Sequence, residues 1–144
     1  MIDIKKTFEI TRIPLIILIA LTGVGILLTN LNILILTIGW WMFVLIVLTI
    51  CVLWVGYSSG KNGISLIESG LNGAITWAIP GTIGLTIGGL LVFINAFLWG
   101  NIEGYEVISF FGGLLVIVIL LGVGSITSFV VAIVGRFFGL KTSK

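Results

Sequence analysis

Hydrophobic positions in this chain come in long unbroken runs, and polar positions fall between the runs instead of alternating within them. Residues 13–57 carry no charged side chain. As one helix at 1.5 Å per residue they would extend roughly 67 Å, about two hydrocarbon thicknesses, so the run must fold back. Asn30-Leu31-Asn32 is its only polar break, which predicts a first span at 13–31 and a second at 34–57. Charge-free stretches over 69–102 and 107–135 predict a third span at 80–99 and a fourth at 107–134. A β-barrel is excluded because its strands alternate lipid-facing and lumen-facing residues. The expected fold is an all-α membrane protein, a single domain over 1–144 with four transmembrane helices.

The one long connection, 61–79, has its own pattern. Ile64, Ile67, Leu71, Ala74, Ile75 and Ala78 share one helical face, and Ser65, Glu68, Ser69, Asn72 and Thr76 fill the other. This predicts a short amphipathic helix lying in the inner headgroup layer between spans 2 and 3, with Pro80 in the first turn of span 3. The competing expectation is a long third helix that continues through Pro80.

Composition agrees with the pattern. Charged residues make up 8% of the chain and mean hydropathy is +1.36, whereas a soluble domain carries about 25% charged residues. The seven basic residues fall in three places: Lys5, Lys6 and Arg12 before span 1, Lys61 between spans 2 and 3, and Arg136, Lys141 and Lys144 after span 4. The other connections hold none, and the last contains Glu103 and Glu106. By the positive-inside rule this puts both termini in the cytoplasm, with the protein integral to the cell membrane. No small-residue cleavage site follows the first apolar run, so it reads as an uncleaved anchor. Trp77 and Trp99 are spaced to place their rings at opposite interfaces, and Trp54, Phe110-Phe111 and Phe137-Phe138 lie near span ends. Trp40 and Trp41 sit deeper than such a belt requires.

Small residues recur every fourth position. Gly70, Ala74, Ala78, Thr82 and Thr86 form one series, flanked by Gly81, Gly84 and Gly88, and Gly124, Ser128 and Ala132 form another. Ala20, Gly23, Gly25 and Thr29 add small positions to span 1. Such spacing lets helix backbones approach closely. The candidate residues are therefore Ala74, Ala78, Gly81, Thr82, Gly84, Thr86, Gly88, Gly124, Ser128 and Ala132, serving either as a helix-packing face or as a pore lining. The halves also echo each other, with Ile13-Pro14 matching Ile79-Pro80 and Trp40-Trp41 matching Phe110-Phe111. A parallel duplication and the coincidences of low-complexity apolar sequence both account for that.

Reactive chemistry is sparse. The chain has no His and a single Cys, which excludes His/Cys zinc sites, haem ligation and a disulfide framework within it. No ionisable side chain falls in the predicted spans, so the small proton-coupled multidrug exporters, similar in span count, are rejected for want of a buried carboxylate. Gly56-x-x-x-Gly60-Lys61 lacks Walker spacing and a βαβ setting, and reads as a helix end with Gly60 as the stop. Glu103 and Glu106 read as a solvated acidic turn, and Cys51 as a small apolar residue. No cofactor and no nucleic-acid partner is expected. The expected partners are the lipid bilayer, further copies of the chain or other membrane subunits.

Gly56-Tyr57-x-x-Gly60, Asn62-Gly63, Gly70 and Asn72-Gly73-Ala74-Ile75, followed by a glycine-rich span, resemble small archaeal membrane proteins of unknown function. The likeness covers residues 50–92; the Lys5/Lys6 arm and the Trp-rich second span depart from it. It implies no activity and no site residues. Three roles fit the sequence: a non-catalytic structural or accessory subunit acting through lateral helix packing, a passive channel or small-solute facilitator with a Gly/Thr-lined oligomeric pore, and a membrane-lattice protein of the viral-envelope or holin kind.

Overall fold

In a computed structural model, residues 4–30, 34–98 and 104–142 are described, and they form four α-helices. These are α1 (Ile4–Asn30), α2 (Leu34–Lys61), α3 (Leu66–Leu98) and α4 (Gly104–Thr142). Three helices are long and apolar enough to cross a membrane, over Lys5–Leu28, Gly39–Lys61 and Val118–Thr142. The protein is all-helical and membrane-like. Helices α2, α3 and α4 pack as a triangle, and α1 lies against α2 and α3. Among the described residues, α1 does not touch α4.

Beside a small apolar core of Leu18, Leu48, Cys51, Val52 and Ala132, burial runs opposite to that of a water-soluble bundle. Large side chains such as Ile16, Leu27, Ile46, Val118 and Ile126 point outward, while Thr11, Thr22, Ser59, Ser69, Asn72, Thr76 and Ser128 are buried. In water an apolar surface this extensive would drive association. In lipid it costs nothing, and small or polar residues are the ones that hold helices together.

Helix α3 departs from the expected interfacial segment. It begins at Leu66 and runs through Pro80 to Leu98 as one element, so no separate helix occupies 61–79. Its faces are also turned the other way. Ile67 is 65% exposed and Ile75 36%, whereas Asn72 is 1% exposed and Ser69 and Thr76 are fully buried. Ser69, Asn72 and Thr76 turn into the bundle, with Ser69 bonded to Ala132 O of α4, and Ile67 and Ile75 face outward.

The α2–α3 corner is specified locally. Gly63, with φ of +67°, is the left-handed residue after α2. The Ile64 N–H bonds Ser59 O at 2.9 Å and the Gly63 N–H bonds Gly60 O at 3.1 Å, the paired bonds of a Schellman end. Gly60 is therefore inside α2, and the stop expected there falls at Gly63. Ser65 then caps α3: its Oγ accepts from the Glu68 N–H at 3.3 Å and donates to Glu68 Oε2 at 3.0 Å. From α4, Arg136 Nε donates to Ile64 O at 2.8 Å and ties the corner to the bundle.

Helices α1, α2 and α4 begin or end beyond the expected spans, α1 from Ile4 and α4 as far as Thr142. Leu31 and Asn32 of the Asn30-Leu31-Asn32 break, Trp99 and Glu103 lie outside the described residues, as do the surroundings of Asn30, Gly88, Asn95, Glu106, Phe110 and Phe111.

Candidate functional site

The tightest feature of the bundle is the crossing of α2 and α4. Gly56-x-x-x-Gly60 on α2 meets Gly135-x-x-x-Gly139 on α4, and the glycines face one another's backbones. A Cβ on Gly56 would collide with the Ala132 carbonyl, one on Gly60 with the Arg136 carbonyl, and one on Gly139 with the Tyr57 carbonyl. On Gly135 it would stand 2.5 Å from Leu53 O. Every obstructing atom is backbone, so relief requires the helices to separate. Close approach of this kind is what four-residue glycine spacing permits in lipid. The sequence displays both Gly-x-x-x-Gly pairs, but the first resembles a helix stop and the second stands apart from the every-fourth series of Gly124, Ser128 and Ala132.

Ala132 is the node where α3 joins this crossing. It is fully buried, its carbonyl faces Gly56, and its Cβ occupies the space beside Gly73. Gly73 also lies against the Ser128 carbonyl, 2.6 Å from where its own Cβ would be. Above and below, the Phe129 ring covers Gly70 and the Trp77 ring covers Gly124. Buried hydroxyls are turned on the backbone: Ser69 Oγ donates to Ala132 O at 3.4 Å and Thr76 Oγ1 to Asn72 O at 2.7 Å. Asn72 Nδ2, Ser59 Oγ and Trp77 Nε1 are buried without a partner. Trp77 packs on α4 through its indole edge, against Gly124.

Helix α1 is held by tryptophan. Trp40 Nε1 donates to Leu21 O across the α1–α2 interface at 3.1 Å, and the rings of Trp40 and Trp41 fill the space that a side chain on Gly25 would need. This accounts for the depth of Trp40. Its polar tip finds a carbonyl on the neighbouring helix, so it needs no headgroup layer.

The candidate small residues separate into groups. Gly124, Ser128 and Ala132 lie inside the α3–α4 contact, as do Gly70, the first of the small-residue series, and Gly73, which lies outside that series. Gly81 lies beside Leu121, and Gly84 sits against Thr22 of α1. Ala74 and Ala78 are half-buried. Thr82 and Thr86 are exposed, with Thr82 Oγ1 bonded to Ala78 O of its own helix at 2.7 Å. The structure therefore does not gather Gly81, Thr82, Gly84 and Thr86 on one surface: the glycines face other helices and the threonines face away.

Among the described residues no three His, Cys, Asp or Glu side chains are grouped to hold a metal ion. Cys51 is a buried free thiol within α2. The polar groups that the bundle brings together are hydroxyls, an amide, an indole and backbone carbonyls, suited to hydrogen bonding and not to proton transfer. No protein-family model, no curated protein and no solved structure matches this chain.

Proposed function

We propose that this chain is a four-span, non-catalytic protein of the cell membrane that acts as a structural or accessory subunit through lateral helix packing. The observation that carries this is the inverted burial. Gly56, Gly60, Gly73, Gly135, Gly139, Ser69, Thr76 and Ser128 lie in helix contacts or are buried, and many of the large side chains that face outward are apolar. A protein whose polar groups are spent on its own packing offers neighbours in the bilayer a shaped apolar surface. The exposed small positions Thr82 and Thr86 mark the face of α3 where a further helix, from another copy or another subunit, could approach closely.

Chain direction supports a topology with both termini cytoplasmic. The Trp40–Leu21 bond pairs the C-terminal half of α1 with the N-terminal half of α2, which brings Lys5, Lys6 and Arg12 to the end that holds Lys61. The Thr142–Tyr57 hydroxyl bond, at 3.1 Å, brings Arg136 and Lys141 to that same end. All the described basic side chains then collect on one side, as the positive-inside rule requires of a cytoplasmic face. Helix α3, with 33 residues, is the fourth span; at 1.5 Å per residue it is about 50 Å long, ample for a ~30 Å core.

Native mass spectrometry from mild detergent tests the functional proposal. An assembly larger than one chain, or a stoichiometric co-purifying membrane subunit, is expected. A strict monomer with no partner refutes it. The outward placement of Thr82 and Thr86 keeps a second reading, a passive pore between protomers lined by those hydroxyls. Liposome flux of ions, water and small neutral solutes separates the two, since an accessory subunit conducts none of them.

A further inference from the structure

Beyond the crossing at Gly56, Gly60, Gly135 and Gly139, helices α2 and α4 leave a mostly apolar groove of about 200 Å³ between them. Buried Leu48, Val52 and Ser128 form its floor, and exposed Leu45, Thr49 and Thr127 its rim. It therefore opens sideways on the surface of the bundle, about halfway along the Gly39–Lys61 span. The rim hydroxyls are spent within their own helices, Thr49 on Leu45 O and Thr127 on Val123 O.

A row of side chains leads from each side of the groove to a lysine. On α2 it is Thr49, Leu53, Tyr57 and Lys61, every fourth residue; on α4 it is Thr127, Val134 and Lys141, every seventh. Either spacing keeps to one side of a helix. Leu53, Val134 and both lysines are exposed, and Tyr57 is half-buried. The rows end together at the crossing: a Cβ on Gly139 would stand 3.0 Å from Lys61 N, and the Tyr57 and Thr142 hydroxyls bond at 3.1 Å. Among the described residues neither lysine is ion-paired with a carboxylate, and Glu68, at the start of α3, is bonded to Ser65 Oγ. Two ammonium groups at the end of an apolar furrow match one anion carried on a hydrocarbon chain.

The dimensions agree with that match. About 18 Å of helix separates Thr49 from Lys61, and about 21 Å separates Thr127 from Lys141. Headgroups lie roughly 15–20 Å from the bilayer midplane, so a phosphate between the lysines places the end of its acyl chain at the groove. An apolar cavity of about 150 Å³ accepts the six carbons of benzene, so this groove takes roughly eight, the end of one chain. A helix, about 10 Å across with its side chains, is too wide to enter.

We propose that the outer furrow between α2 and α4 is a binding site for one anionic phospholipid. Its phosphate lies between Lys61 and Lys141, and the end of one acyl chain lies in the groove rimmed by Leu45, Thr49 and Thr127. The site requires that the helices cross a bilayer and does not depend on an accessory role.

Titration of dioleoyl phosphatidylglycerol into the delipidated full-length protein in mild detergent, read by native mass spectrometry, tests this. One lipid per chain should bind saturably, in preference to dioleoyl phosphatidylcholine. Lys61→Gln/Lys141→Gln should weaken binding roughly thirtyfold, about fivefold for each charge. Lys5→Gln/Lys6→Gln, which removes two exposed charges from α1, should leave it unchanged. Thr49→Phe fills the rim and should weaken binding, whereas Ile50→Phe, as exposed but outside the groove, should not. Should Thr49→Phe fail to fold, the two lysine pairs decide. Because binding is counted per chain, a monomer that refutes the accessory role can still bind the lipid. No saturable binding, equal affinity for phosphatidylcholine, or an equal loss in Lys5→Gln/Lys6→Gln overturns the proposal. So does undiminished binding by Lys61→Gln/Lys141→Gln or by folded Thr49→Phe.

Discussion

Replacing Gly135 by alanine probes the α2–α4 crossing with a single methyl group. The new Cβ would stand 2.5 Å from Leu53 O, where ordinary contact begins at 3.4 Å, so the backbones must part by about 0.9 Å at that point. A gap of that size forfeits a quarter to a half of the dispersion energy of each pair it separates. The atoms around it, Leu53 O, Tyr57 N and Gly56 Cα, are backbone, with no rotamer to relieve the strain. Overpacking of this kind costs about 1–3 kcal/mol. Gly135→Ala is therefore expected to lower stability by about that amount against unfolding by a denaturing detergent. Gly122→Ala on the same helix is the control, since a Cβ there meets nothing within 4 Å. The double variant Gly56→Ala/Gly135→Ala should lose less than the sum of its parts, because the second methyl enters a gap the first has opened. Gly135→Ala as stable as Gly122→Ala would refute the close crossing.

Trp40→Phe removes the bond to Leu21 O and should cost about 0.5–1.5 kcal/mol in the same assay, with Trp41→Phe costing less. Gly63→Ala forces a Cβ into a left-handed conformation and should destabilise by about 1–2 kcal/mol, measured as a lower melting temperature in detergent. Ser65→Ala removes the cap of α3 at a cost of about 0.5–2 kcal/mol, which Ser65→Asp should largely restore.

The long apolar runs made the helices legible, because hydrocarbon thickness sets a length that hydropathy alone can measure. The side that each helix presents was harder to read. For 61–79 the periodicity separates Ile67 and Ile75 from Ser69, Asn72 and Thr76, but it does not show which set faces the neighbouring helices, and it misplaces buried Ile64 and exposed Ser65. Ser69, Asn72 and Thr76 turn inward and Ile67 and Ile75 outward, the arrangement that a lipid surrounding would favour. The Ser65-x-x-Glu68 capping pattern, visible in the sequence, marks a helix start that the amphipathic pattern absorbed. Gly56 and Gly60 carried two signals at once, a helix stop and a packing pair, and only their facing partners Gly135 and Gly139 decide between them. Trp40 looked misplaced because its partner, Leu21 O, is a backbone atom that no sequence pattern displays.

The inward turn of the polar face of α3 is the claim on which the membrane account rests. A spin label at Ile75, introduced as Ile75→Cys with native Cys51 replaced by alanine, measures it by collision with oxygen and with a polar nickel chelate in lipid vesicles. Ile75 should be accessible to oxygen and shielded from the chelate, while a label at Lys61 should show the reverse. A chelate accessibility at Ile75 equal to that at Lys61 would place the segment in the headgroup layer and contradict the account.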